Sequence, residues 1–220
     1  MNESTDESLG LGNEAYYRKD YGERPPEHYL WLLADIVKSG RPGNIVDLGC
    51  GPGLFVEIAS RWGLEVMGCD GSEDGLRIAL RRQPKLKLTH CLLSGRLPFE
   101  ADAVDNVLLN QVIEHLPTQV FTNVLVECQR ILRKGGMLFI HSPNKANKRE
   151  VRKDPTHINP LYPSELRNML VSHGFEIVVE PNGPRFRTRI PLLSGLPAAL
   201  MKTRVRDWIS ATTNAYAKKK

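Results

Sequence analysis

The chain has 220 residues, 41% of them apolar and 25% charged, a balance that builds one sizeable core and excludes an intrinsically disordered chain. Its net charge of +5 is unevenly placed: residues 1–180 carry 21 Lys and Arg against 24 Asp and Glu, a net of −3, while residues 181–220 carry nine bases and one acid, a net of +8. That distribution disfavours a protein basic throughout for nucleic-acid binding. No apolar run approaches the ~18–20 residues that span a bilayer, and the acidic start is unlike a signal or transit peptide.

Residues 1–13 are polar and acidic. Along 26–39, Tyr29, Leu30, Leu33, Ile36 and Val37 recur at helical spacing, and Gly40 closes the helix. A strand is predicted at 44–48, a helix at 54–62 stopped by Gly63, a second strand at 65–69, and a helix capped by Ser72 with Glu73 and Asp74 in its first turn. Further strands are predicted at 87–92 and 104–109. A helix capped by Thr118 runs to about 132, the Gly135-Gly136 turn leads into a strand at 137–141, and a helix capped by Ser164 ends at His173 before Gly174. Residues 175–180, the Asn182-Gly183 turn and residues 186–190 read as a terminal antiparallel hairpin.

Short apolar strands alternating with helices imply an α/β fold, a Rossmann-like doubly wound sheet with helices on both faces. One domain is expected, divided into an N-terminal cap and first helix (1–43), a core (44–190), and a basic, apolar C-terminal appendage (191–220). The cysteines Cys50, Cys69, Cys91 and Cys128 contain no CxxC pair. Their spacing argues against a cysteine zinc site and a disulfide scaffold, and a reducing, cytoplasmic location is the expectation.

The most informative stretch is Val46-Asp47-Leu48-Gly49-Cys50-Gly51-Pro52-Gly53. A strand enters a GxGxG loop that opens a helix, where glycines permit close approach of a ligand and helix N–H groups lie unpaired. Asp70 ends the second strand 17 residues beyond Gly53, where an acid accepting from ribose hydroxyls belongs. A dinucleotide fingerprint needs glycine at 54, which is Leu54; an adenosine cofactor without a pyrophosphate fits better.

VDLGCGPG (46–53), GCDGS (68–72), LPF (97–99) before ADAVDNVLLNQVIEHL (101–116), and LRKGGMLFIHSPN (132–144) together resemble the successive motifs of class I S-adenosylmethionine-dependent methyltransferases. The small-molecule branch with the ubiquinone- and menaquinone-type enzymes is closest, and the resemblance covers roughly residues 44–180. It implies S-adenosyl-L-methionine as cofactor and a seven-stranded sheet, mostly parallel with its last strand antiparallel. It sets Asp47, Gly49, Gly51 and Gly53 at the methionine part of the cofactor and Asp70 at the ribose, and Cys50, Gly71, Ser94 and Asn110 complete the expected cofactor-binding set. One departure stands out: where the family often has an acid for the adenine amino group, this chain has Leu93 followed by Ser94. Adenine recognition then falls to backbone groups or Ser94.

Methyl transfer to oxygen needs a group that takes the acceptor's proton. Glu114 and His115 follow the fourth strand, and His157 lies in a proline-containing loop, Asp154-Pro155-Thr156-His157, suited to covering an acceptor pocket. These three are the catalytic candidates. A hydrogen-bonded pair bracing the loop is the competing reading for Glu114 and His115, and a surface or structural histidine for His157. They are partly similar to methyltransferases that chelate a metal through an ExxEH segment and a later histidine, including RNA 2′-hydroxyl enzymes. The first acid is Gln111 here, however, a poor partner for a hard cation, so no metal is assigned. Tyr16, Tyr17 and Tyr21 read either as an aromatic lid over the cofactor or as a staple for the first long helix.

The expected activity is methylation of a small-molecule, lipid- or sugar-linked acceptor, on oxygen. The alternatives are a metal-assisted RNA methyltransferase and a non-catalytic module binding cofactor or an anionic surface. A nicotinamide-dependent reductase is disfavoured by Leu54 and the lack of a clear YxxxK pair. Residues 190–209 combine Leu192, Leu193, Leu196, Leu200 and Trp208 with Lys202, Arg204 and Arg206, and Lys218-Lys219-Lys220 follow. That composition suits a homodimer or core contact, or a transient contact with an anionic membrane; nucleic acid is the least favoured partner.

Overall fold

The computed structural model describes residues 12–21, 24–179 and 212–220. Among these, the helices are α1 (Glu14–Tyr21), α2 (Leu30–Ser39), α3 (Leu54–Arg61), α4 (Glu73–Arg82), α5 (Thr118–Ile131), α6 (Lys148–Val151) and α7 (Pro163–Ser172). The strands are β1 (Ile45–Leu48), β2 (Val66–Asp70), β3 (Leu88–His90), β4 (Val104–Asn110), β5 (Leu132–Pro143), β6 (Phe175–Val179) and β7 (Thr212–Lys219). They form one seven-stranded sheet in the order β3-β2-β1-β4-β5-β7-β6. The pairs from β3 to β5 are parallel, and β7 runs antiparallel to both β5 and β6.

Parallel strands must be covered on both faces, and two apolar layers do so. Phe121, Leu125, Ile131, Leu166 and Leu170 build one with β4 and β5; Leu32, Leu33, Ile36, Leu54, Phe55 and Ile58 build the other. Each fully buried Leu, Ile or Phe contributes on the order of 1.5–3 kcal/mol through apolar area removed from water. The strand order reverses between β1 and β4, and ligands of open α/β sheets bind at such a crevice.

The expected seven strands with an antiparallel end are present, but the antiparallel strand comes from elsewhere in the chain. The partner expected for β6 at residues 186–190 lies outside the described residues, as do the Asn182-Gly183 turn and residues 190–209. The strand that pairs with β6 is Thr212–Lys219, taken above as part of the appendage. Thr213, Ala215, Tyr216 and Ala217 are buried, and Tyr216 donates its hydroxyl to Asp35 at 2.6 Å. Lys218 pairs with Glu176 at 3.3 Å and Lys219 with Asp102 at 2.7 Å, so two of the three terminal lysines are engaged at the sheet.

Local capping differs in two places. Ser72 caps α4 as expected, accepting from the Gly75 N–H at 3.1 Å. Thr118 and Ser164, in contrast, lie inside the first turns of their helices, behind Pro117 and Tyr162. The Glu165 carboxylate closes the start of α7 by accepting from the Tyr162 N–H at 2.8 Å. The sequence spacing of the cysteines hid one bridge: Cys69 and Cys91 form a disulfide with Cα atoms 5.8 Å apart, because parallel pairing sets Asp70 opposite His90. No helix among the described residues is long and apolar enough to cross a membrane.

Candidate functional site

The glycine loop follows β1. Gly49 and Gly51 have φ of +74° and +51°, the left-handed region that a residue with a Cβ enters at a cost. At Gly49 a Cβ would also lie 2.6 Å from a Val112 methyl, so the loop closes against the chain leaving β4 only without a side chain. Below the loop opens a cleft of about 390 Å³, counting the solvent at its mouth, lined by Asp47, Gly49, Cys50, Gly51, Asn110 and Gln111, with Tyr21, Tyr29 and Phe55 among the remaining walls.

One carboxyl, Asp47, lines this cleft, and a second, Asp70, holds the loop without lining it. Asp47 is 3% exposed, and burial, then the nearby charge of Asp70, push its pKa up to about 8. Asp70 accepts the Gly51 N–H through Oδ2 and the Ser72 N–H through Oδ1, each at 2.7 Å. Asp47, buried beside the Asp70 carboxylate, makes a place where a cationic ligand is stabilised. A ligand carrying an ammonium and a sulfonium therefore fits the residues present.

The N-terminal helix α1 lies over this ground. The Tyr17 ring sits between two glycines: a Cβ on Gly51 would come within 3.2 Å of it and one on Gly75 within 2.9 Å. Burial raises the Tyr17 phenol, with Asp70 adding to the effect. The Glu14 N–H donates to Asp74 at 3.1 Å, and its side chain pairs with Arg81 at 3.3 Å. On the other side, the Tyr16 hydroxyl donates to Asp154 at 3.4 Å. The helix thus spans from α4 to the loop carrying His157, while Tyr21 packs on the cluster that holds Tyr29, Leu33 and Ile36.

Sequence-distant candidates meet at that loop. Glu114 and His115 lie in a 3-10 turn, Ile113–His115, whose Glu114 carbonyl accepts the Asn159 N–H at 2.9 Å. The His115 and His157 rings are 4.8 Å apart between centroids. His115 Nδ1 lies 2.9 Å from Thr156 Oγ1, which donates to Asp154 Oδ1 at 2.5 Å. His157 donates through Nδ1 to the Val151 carbonyl at 3.2 Å. Burial lifts the Glu114 carboxyl to about 8, whereas burial and the neighbouring His157 lower His115 to about 4. One ligand atom from each of Glu114, His115 and His157 lies within 4.8 Å of the others, a spacing a cation can bridge. Gln111 stands where a second carboxylate would be needed, however, so this donor set is a poor match for a hard cation.

The remaining candidates are dispersed. Gly53 turns the loop into α3 with φ +68°. Gly71 packs against Leu92, and Ser94 is exposed in the turn after β3; none of the three lines the cleft. His141 is buried between the rings of Trp31 and Tyr216 at 5.1 and 5.6 Å. Sequence reasoning placed Tyr29 only on the first long helix, not at the cleft, and did not foresee the Asp154–Thr156 contact. Gln111 adopts φ +57°, rare for a side-chain-bearing residue and a mark of functional sites, and it leaves no trace in the sequence. The Asp-Pro-Thr-His order, by contrast, carries a signal: short polar side chains bonding backbone two residues on, as Asp154 does to the Thr156 N–H at 2.9 Å.

A family model described as a methyltransferase domain matches residues 46–140. A probable S-adenosylmethionine-dependent methyltransferase of Mycolicibacterium smegmatis is 31% identical over 137 residues, covering 61% of this chain and 52% of that protein. The ubiquinone biosynthesis O-methyltransferase of Sinorhizobium medicae is 29% identical over 159 residues, 61% of this chain and 60% of that one. The chain thus spans little more than half the length of the curated relatives it matches. A crystal structure of a SAM-dependent methyltransferase from Archaeoglobus fulgidus superposes with a TM-score of 0.69 at 21% identity, covering 93% of this chain and 98% of the other. With its motifs in order along that sheet and the domain match across its glycine loop, the chain is similar to S-adenosylmethionine-dependent methyltransferases over the residues that build the cleft.

Proposed function

We propose that the protein transfers a methyl group from S-adenosylmethionine to a hydroxyl of a small-molecule acceptor. The observation that carries this reading is the left-handed glycine loop with Asp47 and Asp70 buried beside it at the carboxyl ends of β1 and β2. The kinship with an O-methyltransferase of ubiquinone biosynthesis supports oxygen as the target.

When bound, the cofactor supplies a methyl group already activated on a positive sulfur, so the chain's task is to hold, orient and exclude water. Asp47 lies within the cleft and would face the ammonium, returning to its ionised form beside that charge. Asp70 retains lone pairs for ribose hydroxyls while it holds Gly51 and Ser72. Gly49, Cys50, Gly53 and Asn110 shape the loop and wall, and Gly71 and Ser94 would stand on the nucleoside side. His115 and His157 offer imidazoles for the acceptor proton, with Glu114 as the buried acid that shapes their surroundings.

The test is a panel of phenolic, quinol, sugar and lipid-linked hydroxyl compounds assayed for S-adenosylhomocysteine release. Release should require one of them, and His115→Ala or His157→Ala should lower kcat by about 100-fold, the size of a general-base contribution. Release with amine acceptors alone would refute oxygen transfer, and unchanged rates in both variants would remove the histidines from it.

A further inference from the structure

The four-residue segment Asp154-Pro155-Thr156-His157 does more than cover the site. Its bonds fix where the proton of His115 must be. Thr156 has one hydroxyl proton, and Oγ1 lies 2.5 Å from Asp154 Oδ1 and 2.9 Å from His115 Nδ1. The Asp154 carboxyl is ionised at neutral pH: burial pushes it up, but the Thr156 hydroxyl and amide and the two imidazoles outweigh that and hold it below its ordinary range. A carboxylate has no proton to give, so the short contact is made by the Thr156 proton. Thr156 Oγ1 then has only lone pairs left for His115, and Nδ1 must be the donor.

We propose that Asp154, acting through Thr156, is a positioning residue that locks His115 as its Nδ1–H tautomer, leaving Nε2 as the atom that takes up the acceptor's hydroxyl proton. The assignment of the tautomer rests on the hydrogen-bond chain alone; the role of Nε2 rests on the oxygen-transfer reading above. The groups around His115 agree. His157 spends its own Nδ1 proton on the Val151 carbonyl at 3.2 Å, so its Nε2 is the ring nitrogen left to face Asp154. Asp154 Oδ2 lies 4.0 Å from that Nε2 and accepts from Tyr16 at 3.4 Å. The same carboxylate therefore serves Thr156 on one oxygen and faces both His157 and α1 with the other. Once His115 Nε2 gains a proton, the Asp154 charge, relayed by Thr156, is the nearest compensation.

The experiment uses the full chain with nitrogen-15-labelled histidine, bound to S-adenosylhomocysteine, with imidazole nitrogen spectra at neutral pH and His115→Asn to identify the signals. The wild type should show a protonated Nδ1 and an unprotonated Nε2 at His115. Thr156→Ser, which keeps the hydroxyl, should preserve this pattern, and Thr156→Val, nearly the same in shape, should shift the population toward Nε2–H. Asp154→Asn offers an amide that can donate to Thr156, reversing the chain and favouring Nε2–H as a second, independent variant. An Nε2–H wild type, or spectra unchanged in both Thr156→Val and Asp154→Asn, would overturn the proposal. With an oxygen acceptor, Thr156→Val should lower kcat about tenfold with KM little changed, and Thr156→Ser should restore it. If no oxygen acceptor is methylated while the Nδ1–H signature stands, the functional reading fails and the tautomer assignment does not.

Discussion

Asp70 holds the glycine loop directly: its Oδ2 accepts the Gly51 N–H at 2.7 Å, while its other oxygen accepts the Ser72 N–H at the start of α4, also at 2.7 Å. One carboxylate at the tip of β2 thereby sets the distance between the loop after β1 and the first turn of α4. A residue expected only to meet a ribose also builds the floor on which the ribose would lie.

Asp70→Ala should therefore harm both binding and stability. The buried Gly51 N–H loses its acceptor, which costs about 1–3 kcal/mol when water does not replace it, and the half-buried Ser72 N–H loses its own. Calorimetry should find S-adenosylhomocysteine affinity reduced at least tenfold, and urea unfolding should find the midpoint lowered. Wild-type affinity in the variant would separate Asp70 from the cofactor.

The two buried acids give the folded chain a pH dependence. Asp47 and Glu114 are both raised to about 8, from ordinary values of 3.8 and 4.5. Between those limits the folded state holds protons that the unfolded chain has released. Their contribution is complete below about pH 4 and is lost as the pH climbs through 8. The slope approaches about 1.4 kcal/mol per pH unit for each group. Ligand-free protein should thus lose stability from pH 5 to 8.5 in urea unfolding, and Asp47→Asn should flatten the decline. A level wild-type profile would contradict the burial account of both acids.

Gly75→Ala tests the lid without touching the cleft. Alanine is favoured over glycine inside a helix by about 1 kcal/mol, yet its methyl would stand 2.9 Å from the Tyr17 ring. Faster proteolysis within residues 12–24 and weaker S-adenosylhomocysteine binding are expected. Unchanged cleavage and unchanged affinity would mean that α1 has no part in holding the ligand.

Deleting residues 212–220 should abolish folding rather than trim a tail. The strand β7 lies between β5 and β6, so its removal strips hydrogen bonds from both and uncovers Phe139 and Phe175, which are fully or nearly fully buried. Loss of the cooperative unfolding transition in circular dichroism is the expected result; a native-like transition would show the sheet to be stable without its inserted strand.

Metal should not be taken up at Glu114, His115 and His157. Titration of Mg²⁺ or Mn²⁺ into the S-adenosylhomocysteine complex should leave the melting temperature unchanged, and a saturable rise that disappears in His157→Ala would reverse that conclusion.

The strands from β1 to β5 and their helices were legible because each feature is local: apolar runs, capping residues and glycines at the turns. The strand β7 was not. Thr-Thr-Asn-Ala-Tyr-Ala-Lys-Lys has little apolar weight, since small residues suffice where two strands already cover it, and its lysines look like a solvated tail until Asp102 and Glu176 are in place across the sheet. The cofactor loop could be read from three glycines and an acid at a set interval. The tie from Asp154 through Thr156 to His115 joins positions 41 residues apart, and no periodicity encodes it. The left-handed turn at Gln111 is likewise imposed from outside, by the His141 carbonyl that accepts its N–H at 2.7 Å.

The central claim is that Asp47, Asp70 and the glycine loop hold S-adenosylmethionine, and isothermal calorimetry on the full chain tests it most directly. The chain should bind S-adenosylmethionine or S-adenosylhomocysteine at one site, weakened at least tenfold by Asp70→Ala. Absence of binding by either compound, with saturable binding of NADH or NADPH instead, would contradict it.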